Sequence, residues 1–314
     1  MRLSRLGVVF AVGMCLGAPL PLAQAQRAPT PNTSFAPPTA TGAPPAHSDD
    51  EYLAHVARIA KALPNFTVLV QKPFVIAGDD APDAVRAAGV QTVKWTVDHL
   101  KKDFFGKDPV DLIDIYLFKN KTSYDKYTKE YFNDPVISPY GYYSPTHKAL
   151  IMNIATGGGT LVHEIVHPFM AANFPACPTW FNEGLASLYE QSMEKDGHIW
   201  GLPNWRLTDL KQNLTGTAPA AEGKAPSFKT LCQMDATTFY SPTKGPNYGT
   251  ARYLCLYLQE KGVLQQFYKD FVKNQKADPT GYDTLQKTLA GIGEKDMDAF
   301  RKKWEAWVMG LKYP

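Results

Sequence analysis

The five residues His163-Glu164-Ile165-Val166-His167 constrain this chain more than any other feature. Two histidines four positions apart lie on one helical face, about one turn from each other. There both imidazoles can approach a single ion at about 2.0–2.1 Å. Glu164 is rotated about 100° from His163. It stays out of the shared coordination shell and can act as general base toward a water activated at the metal. Gly157-Gly158-Gly159-Thr160 precedes the motif as a loop ending in an N-cap, so the motif is expected in the first turns of a helix. Ile165 and Val166 are expected to face the core, and Pro168 to kink the helix just beyond the ligands, because it lacks an N–H.

A catalytic zinc takes three protein ligands and leaves one position for water, so a third ligand should follow. Sixteen residues past His167 comes Glu183, within Trp180-Phe181-Asn182-Glu183-Gly184-Leu185-Ala186. The pair HEIVH and WFNEGLA resembles the gluzincin (HExxH…E) zinc metallopeptidases, the group that holds thermolysin-like and aminopeptidase-like enzymes. The resemblance is specific over roughly residues 151–190 and general elsewhere. It implies that Glu183 is the third ligand, on a helix antiparallel to the first, with one zinc ion per chain. It also implies an edge strand before the motif helix that pairs with extended substrate backbone. Ala149 to Ile154 is in that place, though an ordinary core strand fits it equally well. A tyrosine some eighty residues downstream would stabilise the oxyanion; Tyr248, in Asn247-Tyr248-Gly249, falls 81 residues after His167. A structural tyrosine at a helix start is the competing reading. Arg252, one turn on, either binds a carboxylate or oxyanion or is an ion-paired surface residue.

The departures from the family are informative. Leu150-Ile151-Met152-Asn153-Ile154 lacks the glutamate with which the aminopeptidases recognise a free N-terminus, which favours endopeptidase action. Thermolysin-like enzymes carry an aspartate four residues after the ligand glutamate to orient a histidine. Ser187 stands there, which leaves the outer partners of the ligands unassigned. His147 and His198 are read as non-ligands. The expected activity is therefore peptide-bond hydrolysis with Glu164 as general base, on a peptide or protein substrate. The competing readings are a non-catalytic zinc-bearing binding or scaffold protein of the same fold, and a cell-wall peptide amide hydrolase. Glu164, which a structural zinc would not require, argues against the scaffold.

Arg2 and Arg5, the apolar stretch from Leu6 to Leu22 and Ala23-Gln24-Ala25 read as a signal peptide over 1–25. The stretch is short for a membrane span and holds Pro19 and Pro21, so cleavage is expected, with no stable membrane insertion afterwards. The protein is expected to be secreted or periplasmic. Removing that segment leaves 31 basic against 30 acidic residues, a balance that excludes a nucleic-acid surface. Cys177, Cys232 and Cys255 are either small buried hydrophobes or one bridge plus a spare thiol.

Residues 26–48, rich in Pro and Ala, read as a flexible tether. From Asp49 an α+β fold is expected, zincin-like, with a mixed β-sheet and helices over 49–155 and a mostly helical lobe over 156–314. The active-site helix would sit at the junction. Strands are predicted at 66–71, 74–77, 112–118 and 149–154. Helices are predicted at 51–62, from a cap at Asp80 to Gly106, and at 124–132. Phe300, Trp304, Trp307 and Val308 form a core-facing stripe near the C-terminus.

Overall fold

Alternation of apolar side chains builds a five-stranded sheet with two different faces. Its strands are β1 (Thr67–Gln71), β2 (Phe74–Gly78), β3 (Ile113–Phe118), β4 (Gly141–Ser144) and β5 (Ala149–Asn153), in the order β1-β2-β3-β5-β4. The inner pairs β2/β3 and β3/β5 are parallel and the outer pairs antiparallel, so the sheet is mixed. Because successive side chains point to opposite faces, Phe74, Ile76, Ile113, Ile115, Leu117, Leu150 and Met152 enter one core. Their neighbours Val75, Ala77, Tyr116, Phe118, Ala149 and Ile151 enter another. The computed structural model describes residues 47–136, 138–218, 224–241 and 246–313. The signal peptide (1–25) and nearly all of the tether (26–48) lie outside the described residues.

The smaller core is closed by α1 (Asp49–Ala62) and α4 (Lys121–Glu130). Helix α1 starts at a reciprocal capping box between Ser48 and Glu51. Asn120 caps α4 through the Ser123 N–H at 3.0 Å, so that helix begins three residues before the expected Tyr124. The other face carries α2 (Pro82–Ala88) and α3 (Trp95–Asp103), joined by a π-helical turn over Gly89–Lys94. Asp80 does not cap this helix. Its carboxylate accepts from the adjacent Ala81 N–H, and Ala81 is the N-cap with Pro82 following. The helix ends before Gly106, where the N–H groups of Phe104 and Phe105 both close on Leu100 O.

The second half is mainly helical: α5 (Gly159–Asn173), α6 (Thr179–Leu188), α7 (Arg206–Thr215), α8 (Phe228–Cys232), α9 (Ala236–Phe239), α10 (Pro246–Glu260), α11 (Leu264–Asn274), α12 (Tyr282–Gly291) and α13 (Met297–Gly310). One hairpin, β6 (Ser192–Lys195) with β7 (His198–Gly201), interrupts the lobe expected to be mostly helical. It is pinned by Asp103, which accepts from the Ile199 N–H at 2.9 Å and pairs with His198 at 2.5 Å, a contact no local propensity announces. The larger core takes residues from both halves, running from Phe74 through Ile165 and Phe181 to Trp304. Phe300, Trp304 and Val308 are buried in it, as the stripe predicts. Cys177, Cys232 and Cys255 are free thiols, and burial pushes each of them well up from the ordinary thiol range.

Two expectations change here. Strand β5 is interior, hydrogen-bonded to β3 on one side and β4 on the other, so the edge lies at β4. Thr160 is not an N-cap; α5 begins at Gly159 after Gly158, without a side-chain cap. No described helix is long and apolar enough to cross a membrane.

Candidate metal centre

Helix α5 carries its two candidate ligands where it meets α6, and two glycines let the elements approach. A Cβ on Gly159 would lie 2.3 Å from Glu190 O, so the start of α5 can seat against the chain leaving α6 only as glycine. A Cβ on Gly184 would lie 3.0 Å from Cys255 Sγ and 3.1 Å from Ala251 O, so the residue after Glu183 brings α10 close. Helix α5 runs on through Pro168, whose missing N–H deprives the Glu164 carbonyl of its intrahelical donor. Ile165 and Val166 are fully buried, as expected. Glu164 alone is partly exposed in the stretch from Leu161 to Met170, so it faces the accessible side of the helix.

His163, His167 and Glu183 converge. They are 8%, 5% and 1% exposed, and one ligand atom from each lies within 4.8 Å of the others. His163 Nε2 is 3.3 Å from Glu183 Oε2, and His167 Nε2 is 3.9 Å from Oε1. Ligands about 2.0–2.1 Å from a tetrahedral ion stand about 3.3–3.4 Å apart, so the closest pair already has that spacing. Glu183 Oε2 is buried with no hydrogen-bond partner among the described residues. An orphaned carboxylate oxygen facing the His163 imidazole, on a carboxylate whose other oxygen lies 3.9 Å from His167, fits a cation. The two-nitrogen, one-oxygen donor set suits zinc among biological metals. Among the described residues no other group of His, Cys, Asp and Glu converges in this way. His147 bonds Phe132 O and His198 bonds Asp103, so both are engaged elsewhere, as expected of non-ligands.

Outer partners that the spacing left unassigned are now visible. His167 Nδ1 lies 3.0 Å from Asn182 Oδ1, the residue just before the ligand Glu183. His163 Nδ1 lies 3.1 Å from Glu190 Oε1, close enough for electrostatic pairing but off the line of a hydrogen bond. Glu190 is itself clamped by Arg206 Nε and Nη2 at 2.9 and 2.7 Å and by Asn204 Nδ2 at 3.0 Å. Such partners fix ring orientation and leave each Nε2 toward the ion. Ser187, in the place of the family aspartate, turns to the backbone and donates to Glu183 O at 2.5 Å.

Without an ion the centre is a cluster of opposed charges. Burial alone would lower the His163 pKa, but Glu183 and Glu190 outweigh it and raise it to about 10. Burial would raise Glu183, yet His167, His163 and Tyr240 hold it down at about 2. Glu190 is held well below the usual carboxylate range by Arg206 and His163 despite its burial. Glu164 moves the other way: burial raises it, and the two histidines only partly offset this. A carboxylate with a raised pKa beside the candidate ligands suits a residue that must take and return a proton.

Tyr248 is brought to the same place. Its hydroxyl pKa is pushed well up by burial and by the charges of Glu183 and Glu164, which lie within electrostatic reach. Sequence reasoning missed Tyr240, which donates to Glu183 Oε1 at 2.6 Å and whose ring is 6.3 Å from that of Tyr248. Nothing in the spacing separates it from the other fifteen tyrosines. Arg252 is neither an exposed ion-paired residue nor a site residue. It is fully buried, and it donates to Ser187 O at 2.9 Å and to Leu188 O, carbonyls at the end of α6, and to Leu202 O just after β7.

No protein-family model matches this chain, and a search of curated proteins finds no significant relative.

Proposed function

We propose that this protein is an exported, zincin-like metallopeptidase of the gluzincin kind, binding one zinc ion through His163, His167 and Glu183. The observation that carries the reading is the position of Glu164: between two ligands in sequence, turned off their shared face, partly exposed and with a raised pKa. A purely structural zinc site has no use for such a group. Zinc, when bound, supplies Lewis acidity that polarises a carbonyl and acidifies water. Glu164 takes the proton of the attacking water and returns it to the departing amine. Tyr248, within electrostatic reach of Glu183 and Glu164, is the residue assigned to donate its hydroxyl to the oxyanion that develops on the carbonyl oxygen. Asn182 and Glu190 keep the two imidazoles in orientation.

With β5 interior, β4 is the edge strand on that side of the sheet and the candidate to pair with extended substrate backbone. The missing glutamate in Leu150-Ile151-Met152-Asn153-Ile154 favours endo- over aminopeptidase action. A quenched peptide library incubated with the purified chain, with and without chelator, tests the proposal. Cleavage that stops with chelator and returns with zinc is the expected result. Cleavage indifferent to chelator would overturn it.

A further inference from the structure

Arg206 reaches two parts of the centre without touching a ligand. In its plane, Nε and Nη2 donate to the two oxygens of Glu190, the carboxylate behind His163. Its Cζ also lies over two aromatic rings, 4.9 Å from the centre of Tyr248 and 5.9 Å from that of Trp205. A guanidinium can do both at once because its donors lie in one rigid plane and its faces remain free to stack; an ammonium cannot. The backbone N–H of Arg206 also bonds Asn204 Oδ1 at 3.1 Å, and Asn204 holds Glu190, so the group is anchored from two directions. Glu190 is buried, so this is not a surface ion pair. Stability alone does not account for it, since an apolar pair of similar volume holds a fold about as well. What an apolar pair lacks is a fixed carboxylate to present to His163.

We propose that Arg206 is the positioning residue of the centre, orienting His163 through Glu190 and the Tyr248 ring through its cation–π contact. This rests on His163, His167 and Glu183 being the metal site, and its tests are independent of peptidase activity.

Zinc affinity is measured by competition with a chromophoric chelator for wild type, Arg206→Lys, Arg206→Met, Glu190→Gln and the double variant Arg206→Met/Glu190→Gln. Melting temperature follows the fold in each. Arg206→Lys keeps the charge but loses the fork, and should weaken zinc binding by about 10–100-fold, as should Glu190→Gln. The double variant leaves no charge stranded, so it should fold, and should bind no more weakly than the weaker single variant. In parallel, nitration of Tyr248 in the metal-free chain, mapped by peptide mass, should rise severalfold in Arg206→Lys and Arg206→Met. Wild-type protein that binds no zinc sinks the metal reading and this proposal with it. Wild-type binding that Arg206→Lys leaves unchanged, losses that multiply in the double variant, or unaltered Tyr248 nitration overturns the proposal alone.

Discussion

Tyr240 donates its hydroxyl to Glu183 Oε1 at 2.6 Å, while Oε2 of the same carboxylate faces His163 Nε2 without a hydrogen bond. One oxygen is thus occupied by a phenol, so in the proposed site Glu183 would bind the ion through the other oxygen alone. Removing the phenol frees the second oxygen and loosens the carboxylate. Tyr240→Phe should therefore weaken zinc binding by about tenfold or more, the scale for an outer partner of a ligand. Chelator competition measures it, and an unchanged dissociation constant refutes this role for Tyr240.

Glu164→Gln keeps size and polarity and removes the base. The variant should fold, hold zinc as wild type does, and lose kcat by at least about 10²-fold. Tyr248→Phe should also keep its zinc and its KM while losing kcat, as expected of a contact made only in the transition state. Peptide cleavage by Glu164→Gln at the wild-type rate would falsify the mechanism.

His167→Ala and Glu183→Gln differ from these in losing the metal itself. Metal analysis after dialysis should give about one zinc per chain for wild type and far less for either variant. Equal zinc in all three proteins would place the ion elsewhere.

The metal-free centre should leave a pH signature. Glu183 is held at about 2, against an ordinary 4.5, by His167, His163 and Tyr240 despite burial. Its contribution to stability is full above pH 4.5 and is lost as pH falls toward 2. His163 is raised to about 10, against an ordinary 6.5, because Glu183 and Glu190 outweigh its burial. Its contribution is full below pH 6.5 and is lost as pH rises toward 10. Both report one shared interaction, so the melting temperature of metal-free protein should peak between about pH 4.5 and 6.5. Zinc must displace the His163 proton, so binding below pH 10 should release one and apparent affinity should rise about tenfold per pH unit. Calorimetry in buffers of different ionisation enthalpy measures that proton; zero release contradicts the assignment.

Gly184→Ala tests the packing that brings α10 to the site. The added methyl meets Cys255 Sγ and the Ala251 carbonyl, and one of these is backbone that yields little. A loss of about 1–3 kcal/mol is expected from overpacking. Urea melts of the metal-free chain would show it as a lower midpoint, and an unmoved midpoint argues that the helices are less close than described.

What the sequence determined by itself was whatever depends on short, periodic spacing. His163 and His167 share a face because 3.6 residues make a turn. The alternating strands and the Phe300–Val308 stripe follow from local pattern in the same way. Glu183 was picked out only through the resemblance of Trp180 to Ala186 to a gluzincin motif, and the reason for Gly184 appears only in the contact with α10. Tertiary structure alone decided the pairs that span long separations: Tyr240 with Glu183, Arg206 with Glu190 and Tyr248, Arg252 with the end of α6, and Asp103 with the β6–β7 hairpin. It also decided that β4, not β5, lies at the sheet edge. Buried polar groups must find partners wherever the fold places them, and strand order follows from which faces the helices cover. Neither constraint has a period along the chain, so neither leaves a local mark.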